Sequence, residues 1–440
     1  MRPERILYNA ALPLAAAGAR VAASFNGKIA EGLAGRKGLR ERWKAAAERL
    51  DRDRPLVWFH VSSVGEFLQA RPVIDLLAAR HPDRIGIAIT FFSPSGMNFF
   101  RRHDAARPNR AIVFTDYLPL DTSANARFCM ETLRPSMIVY VKFDLWPNLI
   151  VEAHQAEVPQ VLISGTLSPG SWRLSPLARG FYRSLYERLD AIAAITDEDA
   201  ARFADGMSDQ SRVVVAGDTR FDQVCARIDA PVSKLPPAVF ADPRPLLIAG
   251  STWPKDEAVV IPGFARLREN GSDAGLIVAP HEPTGQRLRE IDRALDAHGL
   301  ERVLLSSLGD APAGTPVTVA DGVGYLAELY RAGAVAYVGG SWTTGVHNVM
   351  EPAVVGLPVL FGPKIDNSWE AGKLVGLGAG TIVRTPEEFA GAAGELLRDE
   401  AERRRLGETG SRFIREGCGA APRCARIIER RLGIERPESD

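Results

Sequence analysis

The amino-acid sequence predicts an α/β protein made of two domains in tandem, each a parallel sheet covered by helices on both faces. Three observations lead there. From residue 55 onward, short apolar runs alternate with stretches of helical spacing, the pattern of a parallel sheet with crossover helices. The rhythm stops at a proline-rich stretch near residues 225–245 and then restarts. A chain of 440 residues is also too long for one ordinary core, whereas two cores of roughly 150 to 200 residues fit the usual domain size.

In order along the chain, residues 1–50 are expected to form an N-terminal helical, membrane-associated segment, 51–228 a first domain and 229–440 a second. The stretch ILYNAALPLAAAGARVAASF (6–25) has the basic start and small residues of a signal peptide. Asn9, Pro13 and Arg20 break its apolar run, which leaves it short for a bilayer span. Two alternatives stand: a helix packed on its own domain, or one lying on a membrane surface. In the second, Leu7, Leu12, Leu14 and Val21 face the lipid and the basic run RKGLRERWK (36–44) lies behind them. PLVWFHV, RIGIAITFF, AIVFTDYLPL, SMIVYVKF, QVLISG, AIAAIT and RVVVAG read as the strands of the first domain, with FLQARPVIDLLAAR and SANARFCMETLR as helices between them. PLLIAG, AGLIVAP, RVLLSS, PVTVA, AVAYVGG, PVLFG and TIVR read as the strands of the second, and EEFAGAAGELLRDEAERRRLG as amphipathic helices near its end.

Composition narrows the class. A hydrophobic share of 46% with 25% charged residues fits a soluble or peripheral globular protein, and neither a disordered chain nor a multi-span membrane protein. Lys+Arg and Asp+Glu both total 54, so no net charge draws the chain to nucleic acid. Residues 1–54 carry 12 Lys/Arg against 6 Asp/Glu, a local +6 that suits an anionic surface. Cys129, Cys225, Cys418 and Cys424 show no CxxC spacing, which argues against a zinc knuckle or a disulfide scaffold and for a reducing compartment.

In a doubly wound sheet, ligands bind outside the carboxyl ends of the strands. That rule puts 60–66, 90–96, 142–148, 250–255, His281 and 339–351 on the active edge. HVSSVGEF (60–67) supports two readings of Glu66: the far end of a capping box begun by Ser63, or a general base at the mouth of a cleft, with Ser62 and Gly65 leaving room for substrate. GSTWPKDE (250–257) opens a helix with Pro254 at its first position. Its free amides and the Ser251 and Thr252 hydroxyls suit one phosphate, or else cap an ordinary helix. In YVGGSWTTGVHNVMEPAVVGLPVLFGP (337–363), Gly339-Gly340-Ser341 lets bare backbone approach an anion, and His347, Asn348 and Glu351 gather before a helix. Amides for phosphate and a carboxylate for ribose hydroxyls suit a sugar nucleotide; a core histidine and a capping glutamate are the plainer reading. His281 ends another strand, as a satisfied loop residue or a cationic partner for phosphate. Lys142 and Asp144 follow the run MIVYV directly, where burial demands pairing or function. Neither DRD (51–53), on the wrong edge, nor DED (197–199), an acidic first turn, makes a persuasive metal site.

Seven motifs in order, HVSSVGE, FFSPSG, YLPLDT, VKFDLWPN, GDTRFD, AGSTWPKDE and GGSWTTGVHNVMEPAVVGLPVLFGP, resemble the Kdo transferases over some 300 residues. Those enzymes move 3-deoxy-D-manno-octulosonic acid (Kdo) from CMP-Kdo to the lipid A precursor at the cytoplasmic face of the bacterial inner membrane. The resemblance implies a GT-B architecture, two Rossmann-like domains facing a central cleft, with the acceptor on the first and the nucleotide on the second. It also implies inversion at the anomeric carbon, no cofactor, no bound metal and no nucleic-acid partner. Carried over by motif, Glu66 becomes the base for the acceptor hydroxyl. Ser251, Thr252, His281 and the amides of Gly339, Gly340 and Ser341 take the phosphate, while Asn348 and Glu351 hold the ribose. Ser62, Ser63, Gly65, Ser95, Lys142 and Asp144 line the acceptor side. The chain departs from the family pattern twice. Lys142-Phe143-Asp144 stands where many members have a glutamate-rich segment, and HEPTGQR where many carry an arginine, a place that His281 or Arg287 is expected to fill.

Overall fold

The computed structural model describes residues 3–103, 109–229, 235–310, 312 and 314–435. The first sheet contains β1 (Leu56–Val61), β2 (Gly86–Phe91), β3 (Ile112–Tyr117), β4 (Met137–Val141), β5 (Gln160–Gly165), β6 (Ala191–Ala194) and β7 (Val213–Val215). Its order is β3-β2-β1-β4-β5-β6-β7, and every pair is parallel. The second contains β8 (Leu246–Thr252), β9 (Gly275–Pro280), β10 (Arg302–Leu304), β11 (Val317–Val319), β12 (Val335–Val338), β13 (Val359–Phe361) and β14 (Gly380–Ile382), again all parallel, in the order β10-β11-β9-β8-β12-β13-β14. Each strand lies on one of the apolar runs, and β8 outlasts its run by including Ser251 and Thr252. β1, β2, β4 and β5 are buried along their whole length, because helices cover both faces of such a sheet.

The chain divides into two compact units, Met1–Gln223 with Cys418–Asp440, and Val224–Gly417. The segment from residue 418 onward was expected with the second domain, and the structure moves it to the first. The helix Ala420–Leu432 buries Ala421, Cys424, Ala425 and Ile428 in the first core. Its Glu429 accepts from Arg80 at 3.0 Å and lies 2.8 Å from His81 at the end of the helix Val64–Arg80. Asp222, from the GDTRFD motif, caps that helix through the amides of Gly419 and Ala421. The proline-rich linker also begins later than expected: the helix Thr219–Asp229 covers its start, and residues 230–234 lie outside the described set.

The described part of residues 1–50 forms three helices, Pro3–Ala22, Gly27–Gly35 and Leu39–Ala47. Trp43 is wholly buried, edge-on to Trp58 and Phe114. Arg36 donates to the carbonyls of Phe92, Leu118 and Gly32, and Arg42 pairs with Asp116 at 2.9 Å. Within the basic run 36–44, Arg36 and Arg42 are thus engaged within their own unit, while Lys37, Arg40 and Lys44 remain exposed. The first helix is tied down by Tyr8, whose hydroxyl donates to Asp121, and by Asn9, which accepts from Asn148. Its other face leaves Leu7, Leu14 and Val21, spaced by seven, exposed.

Candidate active site

In each sheet the strand order reverses at one point, between β1 and β4 in the first and between β8 and β12 in the second. A crevice opens at the carboxyl ends of strands at such a point. The predicted residues fall there: Ser62, Ser63, Gly65 and Glu66 follow β1, Lys142 and Asp144 follow β4, Ser251 and Thr252 end β8, and Gly339–Ser341 follow β12. Lys142 and Ser251 adopt left-handed backbone, φ 66° and 54°. Non-glycine residues held there store strain that concentrates at functional sites.

On the first unit, Ser63 caps the helix Val64–Arg80 by accepting from the Glu66 amide at 3.3 Å. The reciprocal half of the expected capping box is displaced, since Glu66 Oε2 accepts from the amide of Ser62 at 2.5 Å instead of that of Ser63. A weaker backbone hydrogen bond from Ser63 also favours the charged carboxyl. Burial, reinforced by the charge of Asp144, pushes the Glu66 carboxyl up to about 7 against the pull of the Ser62 amide and Lys142. Ser95 sits exposed in the first turn of the helix Pro94–His103, and the turn between β2 and that helix is fastened to the β1 loop by the Ser93 amide donating to Ser62 O at 3.0 Å.

Lys142 and Asp144 do not pair with each other. Asp144 Oδ2 receives the Ser62 hydroxyl and the Trp146 indole N–H at 3.1 Å, and His60 Nε2 lies 3.2 Å away. Burial alone would raise the Asp144 carboxyl, but His60, Ser62 and Trp146 together hold it below its ordinary value. His60 is itself wholly buried, its Nδ1 2.9 Å from Thr90 Oγ1, which also accepts from Trp58. Sequence reasoning gave His60 and Thr90 no role, and their polar character inside buried strands was the available signal.

On the second unit the centre is Asp256, fully buried and missed from the sequence. Its carboxylate accepts from the amides of Trp253 at 2.9 Å and Gly340 at 3.0 Å and from the Tyr337 hydroxyl at 2.8 Å. The Gly339 amide donates to Gly250 O at 2.9 Å. Two of the three amides expected to receive phosphate are therefore already satisfied within the protein, which corrects that assignment for Gly339 and Gly340. Gly339 has a different duty, because a Cβ there would lie 2.3 Å from Ser251 O. The side chain of Ser341 is fully buried and accepts from the Gly362 amide at 2.8 Å. The Thr252 hydroxyl donates to Glu257 at 2.8 Å, and Arg287 is held by Glu257 and Glu290, so neither faces a ligand freely. Glu351 is buried and paired with Arg227 at 2.7 Å; burial raises its carboxyl and Arg227 opposes the rise. Asn348 is exposed and accepts from the Met350 amide.

His281 is exposed and stacks on His347, with ring centroids 4.5 Å apart and planes 16° apart, and Trp253 stacks on His281 at 4.9 Å. The Trp253 indole N–H donates to His347 Nε2 at 3.0 Å. Among the described residues, no group of three or more His, Cys, Asp or Glu side chains is arranged to hold a metal ion.

Residues 37–223 match the family described as 3-deoxy-D-manno-octulosonic-acid transferase (kdotransferase). The chain is 28% identical over 330 residues to such a transferase from Chlamydophila psittaci, covering 74% of each chain. It is 27% identical to one from Bordetella pertussis, over 86% of this chain and 87% of the relative. A UDP-GlcNAc 2-epimerase from Neisseria meningitidis shares the fold with TM-score 0.56 at 13% identity, over 87% of this chain and all of the other. A glycosyltransferase from Rickettsia africae does so with TM-score 0.54 at 8% identity, over 87% and 100%. The two Rossmann-like units are those of the GT-B class. The chain thus carries a match to the Kdo transferase family over residues 37–223 and is similar to Kdo transferases, which are glycosyltransferases, along most of its length.

Proposed function

We propose that the protein transfers Kdo from CMP-Kdo to a hydroxyl of the lipid A precursor, with inversion and without a resident metal, at the cytoplasmic face of the inner membrane. The observation that carries this reading is Glu66: a carboxyl pinned by one oxygen to the Ser62 amide and raised to about 7 at the switch point of the first sheet. A general base works best when its pKa lies near the operating pH.

Glu66 takes the proton from a glucosamine 6′-hydroxyl of the acceptor as that oxygen bonds to the anomeric carbon of Kdo. The bond from this carbon to the phosphate oxygen breaks on the opposite face, and its electron pair leaves with CMP. Lys142 and Asp144 flank the acceptor side, while Ser251, His281 and Asn348 remain the donor-side groups with polar atoms available. The exposed line Leu7, Leu14 and Val21 supports a helix lying on the membrane surface. No helix among the described residues is long and apolar enough to cross a membrane.

The test is incubation with CMP-Kdo and tetra-acylated lipid A precursor, followed by mass spectrometry of the lipid. Added Kdo and released CMP are expected, unaffected by a chelator. An unmodified lipid, or protection from heat by UDP and not by CMP, would overturn the reading.

A further inference from the structure

Of the stacked rings at the ends of β8, β9 and β12, Trp253 and His347 have no assigned role, and their hydrogen bonding is asymmetric. An indole N–H can only donate. Since Trp253 Nε1 donates to His347 Nε2 at 3.0 Å, Nε2 carries no proton, and the neutral ring holds its proton on Nδ1. The Nε2–Cδ2 edge of the ring is further fixed by Gly340, where a Cβ would come within 2.7 Å of Cδ2, so Nδ1 lies on the edge turned away from that turn. Nδ1 has no hydrogen-bond partner among the described residues and is not sealed from solvent.

We propose that His347 is a donor-contacting residue, held by Trp253 as a neutral Nδ1–H donor that binds an anionic oxygen of the nucleotide sugar, with Trp253 as its positioning residue. This rests on the donor reading above. The nearby amides are a poor alternative, because Asp256 already occupies those of Trp253 and Gly340. Burial, together with the charge of His281, pushes His347 down to about 4, so the ring stays neutral at neutral pH. Position and burial hold the bond in place: the two partners are 94 residues apart in sequence and meet only where β8 and β12 run side by side. The anionic oxygen belongs either to the phosphate or to the sugar carboxylate, and ligands that differ by these groups tell them apart.

The experiment uses full-length protein labelled with 15N-histidine. Ring-nitrogen NMR at neutral pH reads each tautomer, and His347→Gln assigns the signal. The wild type is expected to show a protonated Nδ1 and a bare Nε2 at His347. Trp253→Phe keeps a ring on His281 but removes the N–H, and the tautomer is expected to become mixed. Calorimetric titration then compares cytidine, CMP and CMP-Kdo. Cytidine affinity should be unchanged in Trp253→Phe, whereas anionic ligands should weaken about two- to fivefold, because only the Nδ1–H fraction of a mixed tautomer population is competent to bind. Equal weakening of CMP and CMP-Kdo places the contact on phosphate; weakening of CMP-Kdo alone places it on the sugar carboxylate. A protonated Nε2 or an imidazolium in the wild type would overturn the proposal without any variant. So would a Trp253→Phe protein with unchanged tautomer or unchanged affinities. A wild type with the stated tautomer that binds none of the three ligands would overturn the donor reading, and the ligand contact of His347 with it.

Discussion

Replacing Glu66 with Gln separates the chemistry of this carboxyl from its place in the fold. The amide keeps an oxygen for the Ser62 N–H and nearly the same volume, but it accepts no proton at neutral pH. Glu66 is 6% exposed, and its carboxyl moves from 4.5 to about 7 on folding. At about 1.4 kcal/mol per unit, the folded protein favours the neutral form by ~3 kcal/mol. The sign follows from linkage: a carboxyl raised on folding contributes stability that is complete below about 4.5 and lost as pH rises through about 7. Gln at this position has nothing to lose in that window. Equilibrium urea unfolding should therefore show Glu66→Gln gaining on the wild type by about 2 kcal/mol between pH 5 and pH 8. In the same protein, transfer to lipid acceptor should fall about 10²- to 10⁴-fold while CMP binding survives. For the wild type, kcat/KM should drop about a hundredfold from its plateau to pH 5, whereas a carboxyl near its ordinary value would give less than a twofold change. A Gln variant that transfers at the wild-type rate, or that tracks wild-type stability at every pH, would refute the reasoning. An acid limb near 4.5 would do the same.

Asp144→Asn removes the like charge beside Glu66 and should shift the acid limb of kcat/KM downward by about one unit, read from the same pH series. Gly339→Ala puts a Cβ 2.3 Å from Ser251 O and should cost about 1–3 kcal/mol by urea unfolding. Gly391→Ala, in the helix Pro386–Arg398 with open space around it, should gain up to ~1 kcal/mol by replacing a flexible residue in a helix. Leu7→Ser with Leu14→Ser should reduce sedimentation with anionic lipid vesicles by at least about tenfold, since each buried leucine contributes roughly 1.5–3 kcal/mol. Unchanged sedimentation would rule out the first helix as the membrane contact.

What the sequence conveyed and what it hid divide along a physical line. The strands of both sheets were legible because a strand buried on both faces must be apolar throughout, a demand each run meets by itself. The destination of the helix Ala420–Leu432 was not, because its apolar face specifies burial without specifying a partner, and only Glu429 meeting Arg80 and His81 supplies one. The same distinction governs the site. Position relative to strand ends could be read directly, and it brought Glu66 beside Asp144 and the β8 turn beside the β12 turn. Hydrogen-bond satisfaction could not be read, since it depends on side chains such as Ser62 and Asp144, 82 residues apart. The glycine turn after β12 makes the point most sharply. Converging amides require an anion, and the sequence suggested that a ligand would supply it. In the fold, Asp256 supplies it from the first turn of the helix Pro254–Glu269, meeting the needs of that helix and of the neighbouring turn with one buried carboxylate. A substrate anion must then find a donor that the protein has left unmatched. A neutral imidazole whose other nitrogen is already occupied by an indole meets that requirement without placing a second fixed charge beside Asp256.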